Sequence, residues 1–359
     1  MSNDPRDLDG THLRNALHTL GRDPTLRREL MDWLLQAEPR LDGTLAIRDE
    51  VTGPIIDALH DETDLYEKSL SDGTKFEFLY RTKIARDFLL SQPQTPTHVW
   101  EPQTTRLLSY LAAQSTGDVL IGGAYFGDHA VLLGRQLSDQ GRRVHCFEPN
   151  DDQRGMLARN AAINGLTNLD IHSFGLWSES SKTLRLAGFD SFANAVLAAD
   201  GEAGFETVSI DDYLAKVGRR LSVLMLDIEG AEYQALIGAQ GTLRSNRPCV
   251  VFEVHRDYVD WSKGLEATPI CRLLTDESYR LFGVRDFNTN QDMQDHCIEL
   301  VPAATVYLDG PPHGFNMLAV PPGTPLEPPL FKIIDSVSPK LLLHKDPAIH
   351  HPMDGIPGR

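Results

Sequence analysis

Residues 118–133 read DVLIGGAYFGDHAVLL. A short apolar run of strand character enters a glycine cluster, Gly122, Gly123 and Gly127, and leaves it as a stretch of helical periodicity. Glycines at a strand-to-helix junction let the backbone turn tightly and approach a ligand that side chains would hold off. The next strand-like run, RVHCFE, ends on Glu148, 21 residues beyond Gly127. An acid at that place in a doubly wound sheet overlooks the crevice and can accept hydrogen bonds from a ribose diol. The pyrophosphate fingerprint GxGxxG is absent, because Gly123 and Gly127 are four apart with AYF between them. An adenosine without a pyrophosphate is therefore expected in preference to a dinucleotide, which argues against a nucleotide-dependent oxidoreductase on the same sheet.

Outward from this stretch the pattern alternates. Helices are expected over about 128–140 and 152–163, the second closed by Asn164-Gly165, with NLDIHSF as the third strand. Residues 178–208 are glycine- and alanine-rich with weak periodicity and read as an irregular insertion. SIDDYLAK then starts a helix capped by Ser209, and LSVLMLDI, the helix Glu232–Leu243 and PCVVFEV give strand, helix and strand. A helix near 266–276 and strand-like runs YRLFGV, ATVYL and FNMLAV follow, with the last strands expected to finish the sheet as an antiparallel hairpin. Alternating strands and helices mean a mostly parallel sheet covered on both faces. Upstream, residues 10 to about 90 read as helices: Leu26, Leu30, Trp33 and Leu34 recur at helical spacing, and Phe76, Tyr80, Ile84 and Phe88 repeat the stripe. The division expected is a helical N-terminal subdomain at 1–95, an α/β domain at 96–330 and a C-terminal tail at 331–359.

Composition bounds the function. The chain has 359 residues, 41% apolar and 24% charged, with a formal charge of −17. That field repels polyphosphate and anionic lipid, so neither nucleic acid nor a membrane is an expected partner. The four cysteines form no CxxC pair, and no 18-residue uncharged apolar run or signal core is present, so a cytoplasmic protein with reduced thiols is expected.

The chemistry is expected at the end of the strand after the insertion, in LDIEGAE at 226–232. Asp227 ends the strand, Glu229 sits in the following loop, and the neighbouring strand ends in FEVH, which brings Glu253 and His255 to the same rim. Crowded carboxylates raise one another's pKa toward working pH, which suits proton transfer from a substrate hydroxyl. Asp227, Glu229 and His255 are the catalytic candidates. Glu232 reads as a first-turn helix acid, His145 as a sheet-face histidine, and Glu253 either serves the site or bonds neighbouring groups.

The stretches GGAYFG (122–127), FEPN (147–150), RNAAINGL (159–166), SIDDYL (209–214), LDIEGAEYQALIGAQGTL (226–243), PCVVFEVH (248–255) and FNMLAV (315–320) together resemble the FkbM family of S-adenosylmethionine-dependent methyltransferases. The resemblance covers about residues 115–320. It implies a Rossmann-like class I methyltransferase sheet, mostly parallel with an antiparallel last strand, and methyl transfer to an oxygen of a sugar or secondary metabolite. It also implies that the loop Gly123, Ala124, Tyr125 and Gly127 holds S-adenosyl-L-methionine, with Glu148 on its ribose and the Asp227–Glu229 turn beside the methyl group. Two positions depart from the family: Ile121 stands where an acid is usual, and Met225 where lysine is common. Asp128 is the candidate replacement for the first. Asp227 or His255 is then the base and Glu229 the orienting group. No metal ligand set is assigned, although the carboxylates would admit Mg²⁺. A small hydroxylated acceptor is the expected partner, and the N-terminal helices offer a lid or a homodimer surface. The reading from another class is a non-catalytic adenosine-binding regulatory module.

Overall fold

The computed structural model describes residues 10–187, 194–197, 203–309, 314–352 and 356. Its centre is a nine-stranded sheet. Taken with the other strands in chain order, β1 is Leu65–Ser69, β2 Lys75–Leu79, β3 Asp118–Gly122, β4 Val144–Phe147, β5 Leu169–His172, β6 Gly175–Leu176, β7 Thr183–Ala187, β8 Asn194–Leu197 and β9 Phe205–Val208. Then come β10 Leu221–Leu226, β11 Cys249–Val254, β12 Arg280–Val284, β13 Ile298–Pro302, β14 Phe315–Val320 and β15 Phe331–Ile333. The sheet order is β15-β13-β12-β14-β11-β10-β3-β4-β5. β3, β4, β5, β10 and β11 pair in parallel, and β14 inserts antiparallel between β11 and β12. The order reverses between β3 and β10, so ligands are expected beyond the carboxyl ends of those strands.

The central strands are apolar throughout because helices cover both faces. Alternation along each strand divides the core. Val119, Ile121, Val223, Met225 and Val251 face one layer, and Leu120, Leu224, Leu226, Val250 and Phe252 the other. The helices, in chain order, are α1 Gly10–Gly21, α2 Pro24–Ala37, α3 Gly53–Ala58, α4 Lys83–Leu89, α5 Pro102–Ala113, α6 Ala130–Leu137 and α7 Asp151–Ile163. They continue with α8 Ile210–Val217, α9 Glu232–Ile237, α10 Gln240–Ser245, α11 Pro269–Asp276 and α12 Pro347–His350. The expected cap Ser209 is present, its side chain accepting from a backbone N–H group of α8, and the Asn150 side chain does the same for α7.

Five local expectations are corrected. The stripe Phe76–Phe88 is not one helix. Its first part is strand β2 of an antiparallel hairpin with β1, since KFEFL alternates apolar and polar after the turn SDGT, and only Ile84 and Phe88 lie on α4. Phe76 and Phe78 of this hairpin pack on Phe126 of the glycine loop, so the N-terminal region shares the core of the sheet. The insertion is ordered in its described part: β7, β8 and β9 form an antiparallel sheet that β6 joins. The helix after Asp227 is two, α9 and α10, broken at Gly238, where a Cβ would lie 2.2 Å from the Trp177 carbonyl oxygen. ATVYL is not a strand; the strand is β13, immediately before it, hidden in the sequence by Glu299, which is buried because Arg285 pairs with it. Nor does β14 finish the sheet, because β13 and β15 extend it past β12.

Candidate active site

A cavity of about 560 Å³ opens at the carboxyl ends of β3, β4, β10 and β11. Of the residues expected to form the site, Gly123, Tyr125, Glu148, Asp227, Glu229 and His255 line it. Ala124 and Gly127 do not. Ala124 is buried in the core, and Gly127, with φ +99°, lies against Leu157 and Val131, where a Cβ would stand 2.7 Å and 2.9 Å from their side chains. Gly123, with φ +76°, is required by a close approach within the protein, since a Cβ there would sit 1.7 Å from the Asp227 carbonyl oxygen. The glycine loop and the Asp227 turn are thereby pressed together.

Glu148 immediately follows β4 and is fixed by the protein itself. One carboxylate oxygen accepts from the Tyr125 backbone N–H at 2.9 Å and the other from the Asn150 N–H at 2.9 Å. The Tyr125 hydroxyl meets Thr82 at 3.0 Å, which ties the cofactor loop to the N-terminus of α4. Leu176, Leu184 and Phe205, from the small sheet, form an apolar wall on this side of the cavity.

The other side is acidic. Asp227, Glu229 and Glu253 each offer one oxygen within 4.8 Å of one another, a set of hard donors suited to a divalent cation. Burial pushes Asp227 up to about 6, helped by Asp128 and opposed by His129 and Lys340. Burial, then the charge of Asp227, pushes Glu229 up to about 8, although the Tyr258 hydroxyl donates to it at 3.2 Å. Glu253 is raised well above the ordinary range by burial and by Asp227 and Glu229. Glu232 proves structural: its two oxygens accept from the backbone N–H groups of Ile228 at 2.7 Å and Gly230 at 3.0 Å, holding the turn. His145 lies inside the sheet, buried and absent from the cavity lining, bonded to Asp118 at 3.1 Å and Tyr213 at 2.8 Å.

His255 lines the cavity, and its Nδ1 accepts from the Asp257 N–H at 3.1 Å. Burial lowers its pKa, so the ring is neutral near pH 7 with its proton on Nε2. In that tautomer it donates rather than accepts.

Sequence reading missed Glu101 and Asn288, and Asp128 was named only as a substitute. Asp128 is buried, lines the cavity, and stands near enough to Asp227 to raise it. Trp100 also lines the cavity, with the Lys83 ammonium 5.9 Å from its ring. Glu101 has φ +43°, accepts from the Asn316 amide at 2.6 Å, and is pushed up to about 8 by burial. A pattern search has no signal for it, because it acts through backbone conformation. Three non-glycine residues with positive φ, Glu101, Tyr125 and Glu229, line this one cavity. Such strain costs on the order of 1–3 kcal/mol each and persists where the surroundings enforce a functional geometry.

The strand order, with the antiparallel strand between β11 and β12 and the cavity at the switch point, defines a class I methyltransferase fold. Residues 122–281 match the model of the methyltransferase FkbM domain. A search of the curated proteins finds no match. Among solved structures, the methyltransferase FkbM from Methylobacillus flagellatus is similar at 15% identity and a TM-score of 0.34, over 56% of this chain and 43% of that one. The Pyrococcus abyssi tRNA (uracil-54, C5)-methyltransferase, in complex with S-adenosyl-L-homocysteine, is similar at 14% identity and a TM-score of 0.34, over 72% and 44%. Magnesium protoporphyrin IX methyltransferase from Synechocystis, with bound cofactor, is similar at 11% identity and a TM-score of 0.34, over 78% and 98%. The chain spans less than half the length of the first two. The family match implies S-adenosyl-L-methionine as the cofactor. The residues present suit it: Glu148 lines the cavity on one side, and Asp227, ionised at pH 7, lines it on the other, where a cationic sulfonium would be favoured. Among the described residues, no helix is long and apolar enough to cross a membrane.

Proposed function

We propose that the protein is an O-methyltransferase acting on a hydroxyl of a small acceptor such as a sugar or secondary metabolite. The observation that carries this reading is that Glu148 and Asp227, from separate strands, open onto one cavity. Glu148 would hold the ribose, the loop Gly123–Tyr125 the methionine portion, and Asp227 the edge nearest the acceptor. The cofactor supplies an electrophilic methyl group. The protein's part is to align the acceptor oxygen and take its proton, and alignment is worth on the order of 7–11 kcal/mol in favourable cases.

Asp227 is the base in this reading, since a carboxyl raised to about 6 is ionised at pH 7 yet basic enough to accept a proton. Glu229, raised to about 8 and so protonated at pH 7, orients the acceptor together with Tyr258. His255 supplies its Nε2–H as a donor rather than the base that its sequence position suggests. The acid-rich lining disfavours anionic acceptors. The test is incubation with methyl-labelled cofactor and a panel of hydroxylated acceptors, with and without chelator. Label in an ether product supports the proposal. Label on nitrogen or carbon overturns the oxygen assignment, and cofactor binding without transfer across the panel favours a regulatory module.

A further inference from the structure

A second cavity, of about 860 Å³, lies between α5, α6 and the loop 292–295. Gln294, Asp295 and Ala113 are exposed and mark its mouth, whereas His98, Leu133 and Met293 are buried and form its floor. Leu108, Leu132 and Leu330 add to the apolar lining. Among the described residues, only His129 lines both this cavity and the active-site cavity.

The two cavities share one wall. The Thr105 hydroxyl donates to the Trp100 carbonyl at 2.9 Å, so its oxygen accepts from the Nδ1–H of His129 at 3.2 Å. Thr105 lines the second cavity, Trp100 the first, and His129 both. An occupant of the second cavity would therefore rest on the back of the active-site wall without entering the active site.

At the floor, His98 is 4% exposed and held in place, the Asn290 amide donating to the carbonyls of His98 and Val99 at 2.7 Å each. Its Nδ1 lies 3.1 Å from the Thr97 hydroxyl, which engages that ring nitrogen. Its Nε2 is buried and meets no hydrogen-bonding group among the described residues. A buried polar atom on a cavity wall, unmatched by the protein, calls for a partner from a ligand or a water.

The surroundings decide the class of ligand. Burial pushes the His98 pKa down to about 4, so the ring is neutral near pH 7. Two guanidiniums, Arg106 and Arg135, stand against three carboxylates, Asp72, Asp292 and Asp295, so the lining has no excess positive charge to attract an anion. The guanidiniums are also engaged: Arg106 donates to the Gln103 side chain at 3.0 Å and to the His296 carbonyl, and Arg135 to the Asp72 carbonyl at 2.8 Å and to Thr74 at 3.2 Å. A cation would be held at the mouth, where Asp72 and Asp295 are exposed, because taking it to the apolar floor strips its water. A hydroxyl suits the floor, since it bonds Nε2 in either tautomer of the ring, giving a proton to one and taking one from the other.

We propose that this cavity is a second ligand site, which takes a small neutral molecule with an apolar body and a hydroxyl bonded to His98 Nε2. The inference is independent of the methyltransferase reading.

The test sets three probes of one shape against the full-length protein: benzyl alcohol, benzylammonium and benzoate. Benzyl alcohol is expected to bind with a Kd of about 1 mM, ordinary for so small a molecule, and the other two about tenfold more weakly. A crystal soaked with benzyl alcohol should place its hydroxyl on His98 Nε2. His98→Phe, which keeps a ring and removes its nitrogens, should weaken binding about tenfold, and His98→Gln, whose amide both donates and accepts, should keep it within about threefold of wild type. Tighter binding of either charged probe overturns the ligand class. An ordered water as the only group on Nε2 in the soaked crystal overturns the site, and so does a folded His98→Phe protein that binds benzyl alcohol as wild type does. If His98→Phe does not fold, the soaked wild-type crystal and the ranking of the probes decide. No readout uses turnover or the methyl donor, so failure here leaves the methyltransferase reading standing, and failure of that reading leaves this site to its own test.

Discussion

The two ends of the central sheet treat their carboxylates in opposite ways. At the amino ends of the strands, Asp118 is bonded by Arg219, His145 and the Arg143 N–H, and Asp170 is paired with Arg143; these bonds hold both acids below the ordinary carboxylate range in spite of burial. At the carboxyl ends, burial dominates, and Asp227, Glu229 and Glu253 are pushed up with Lys340 as a distant counter-charge. The sheet and its dielectric are common to both ends. What differs is whether a guanidinium or backbone N–H satisfies each oxygen. Satisfied acids stabilise the fold, and unsatisfied acids are available for a ligand and a proton.

The contrast is most open to attack at Asp227. Asp227→Asn is expected to lower turnover by about 10³-fold, within the range for a general base, and to leave cofactor affinity within a few-fold. Methyl-label transfer and calorimetry check the two halves. At the opposite end, Asp118→Asn should cost about 3 kcal/mol of stability by leaving Arg219 and His145 poorly paired, and should leave kcat unchanged below the melting temperature. Denaturant titration measures it. Glu148→Gln should weaken cofactor binding by about 30-fold, as the loss of charge-assisted hydrogen bonds costs about 2 kcal/mol, and should affect kcat less.

The smallest effect carries a sign. The acids of the cavity bind protons in the folded state at a pH where the unfolded chain has released them, so their contribution to stability falls as pH rises from the ordinary carboxylate range through about 6 for Asp227 and about 8 for Glu229. Asp118 and Asp170 act the other way: their stabilisation is complete above the ordinary carboxylate range and is lost as pH falls toward their lowered values. Glu253→Gln should therefore raise the melting temperature at pH 8 by about 2 °C and do so less at pH 5. A uniform shift at both pH values would mean that Glu253 is not held protonated by its surroundings.

Much of this was legible in the sequence wherever one residue type satisfied one local need. The strands β3, β4, β5, β10, β11 and β14 announced themselves as apolar runs, Glu148 and Asp227 as acids at strand ends, and Ser209 as a helix cap. The hairpin β1–β2 was obscured because Phe76, Tyr80, Ile84 and Phe88 keep a four-residue spacing across a strand, a turn and a helix. β13 was obscured by a buried glutamate whose arginine partner lies 14 residues earlier. Glu101 reaches the cavity only through long-range folding, by a left-handed backbone at the start of α5.

The most direct measurement is a crystal structure of the protein with S-adenosyl-L-homocysteine. The account predicts the ribose hydroxyls on the Glu148 carboxylate and the sulfur facing the Asp227–Glu229 turn within the same cavity. A ligand held at any other place, or one that meets Glu148 while its sulfur points away from Asp227, would contradict it.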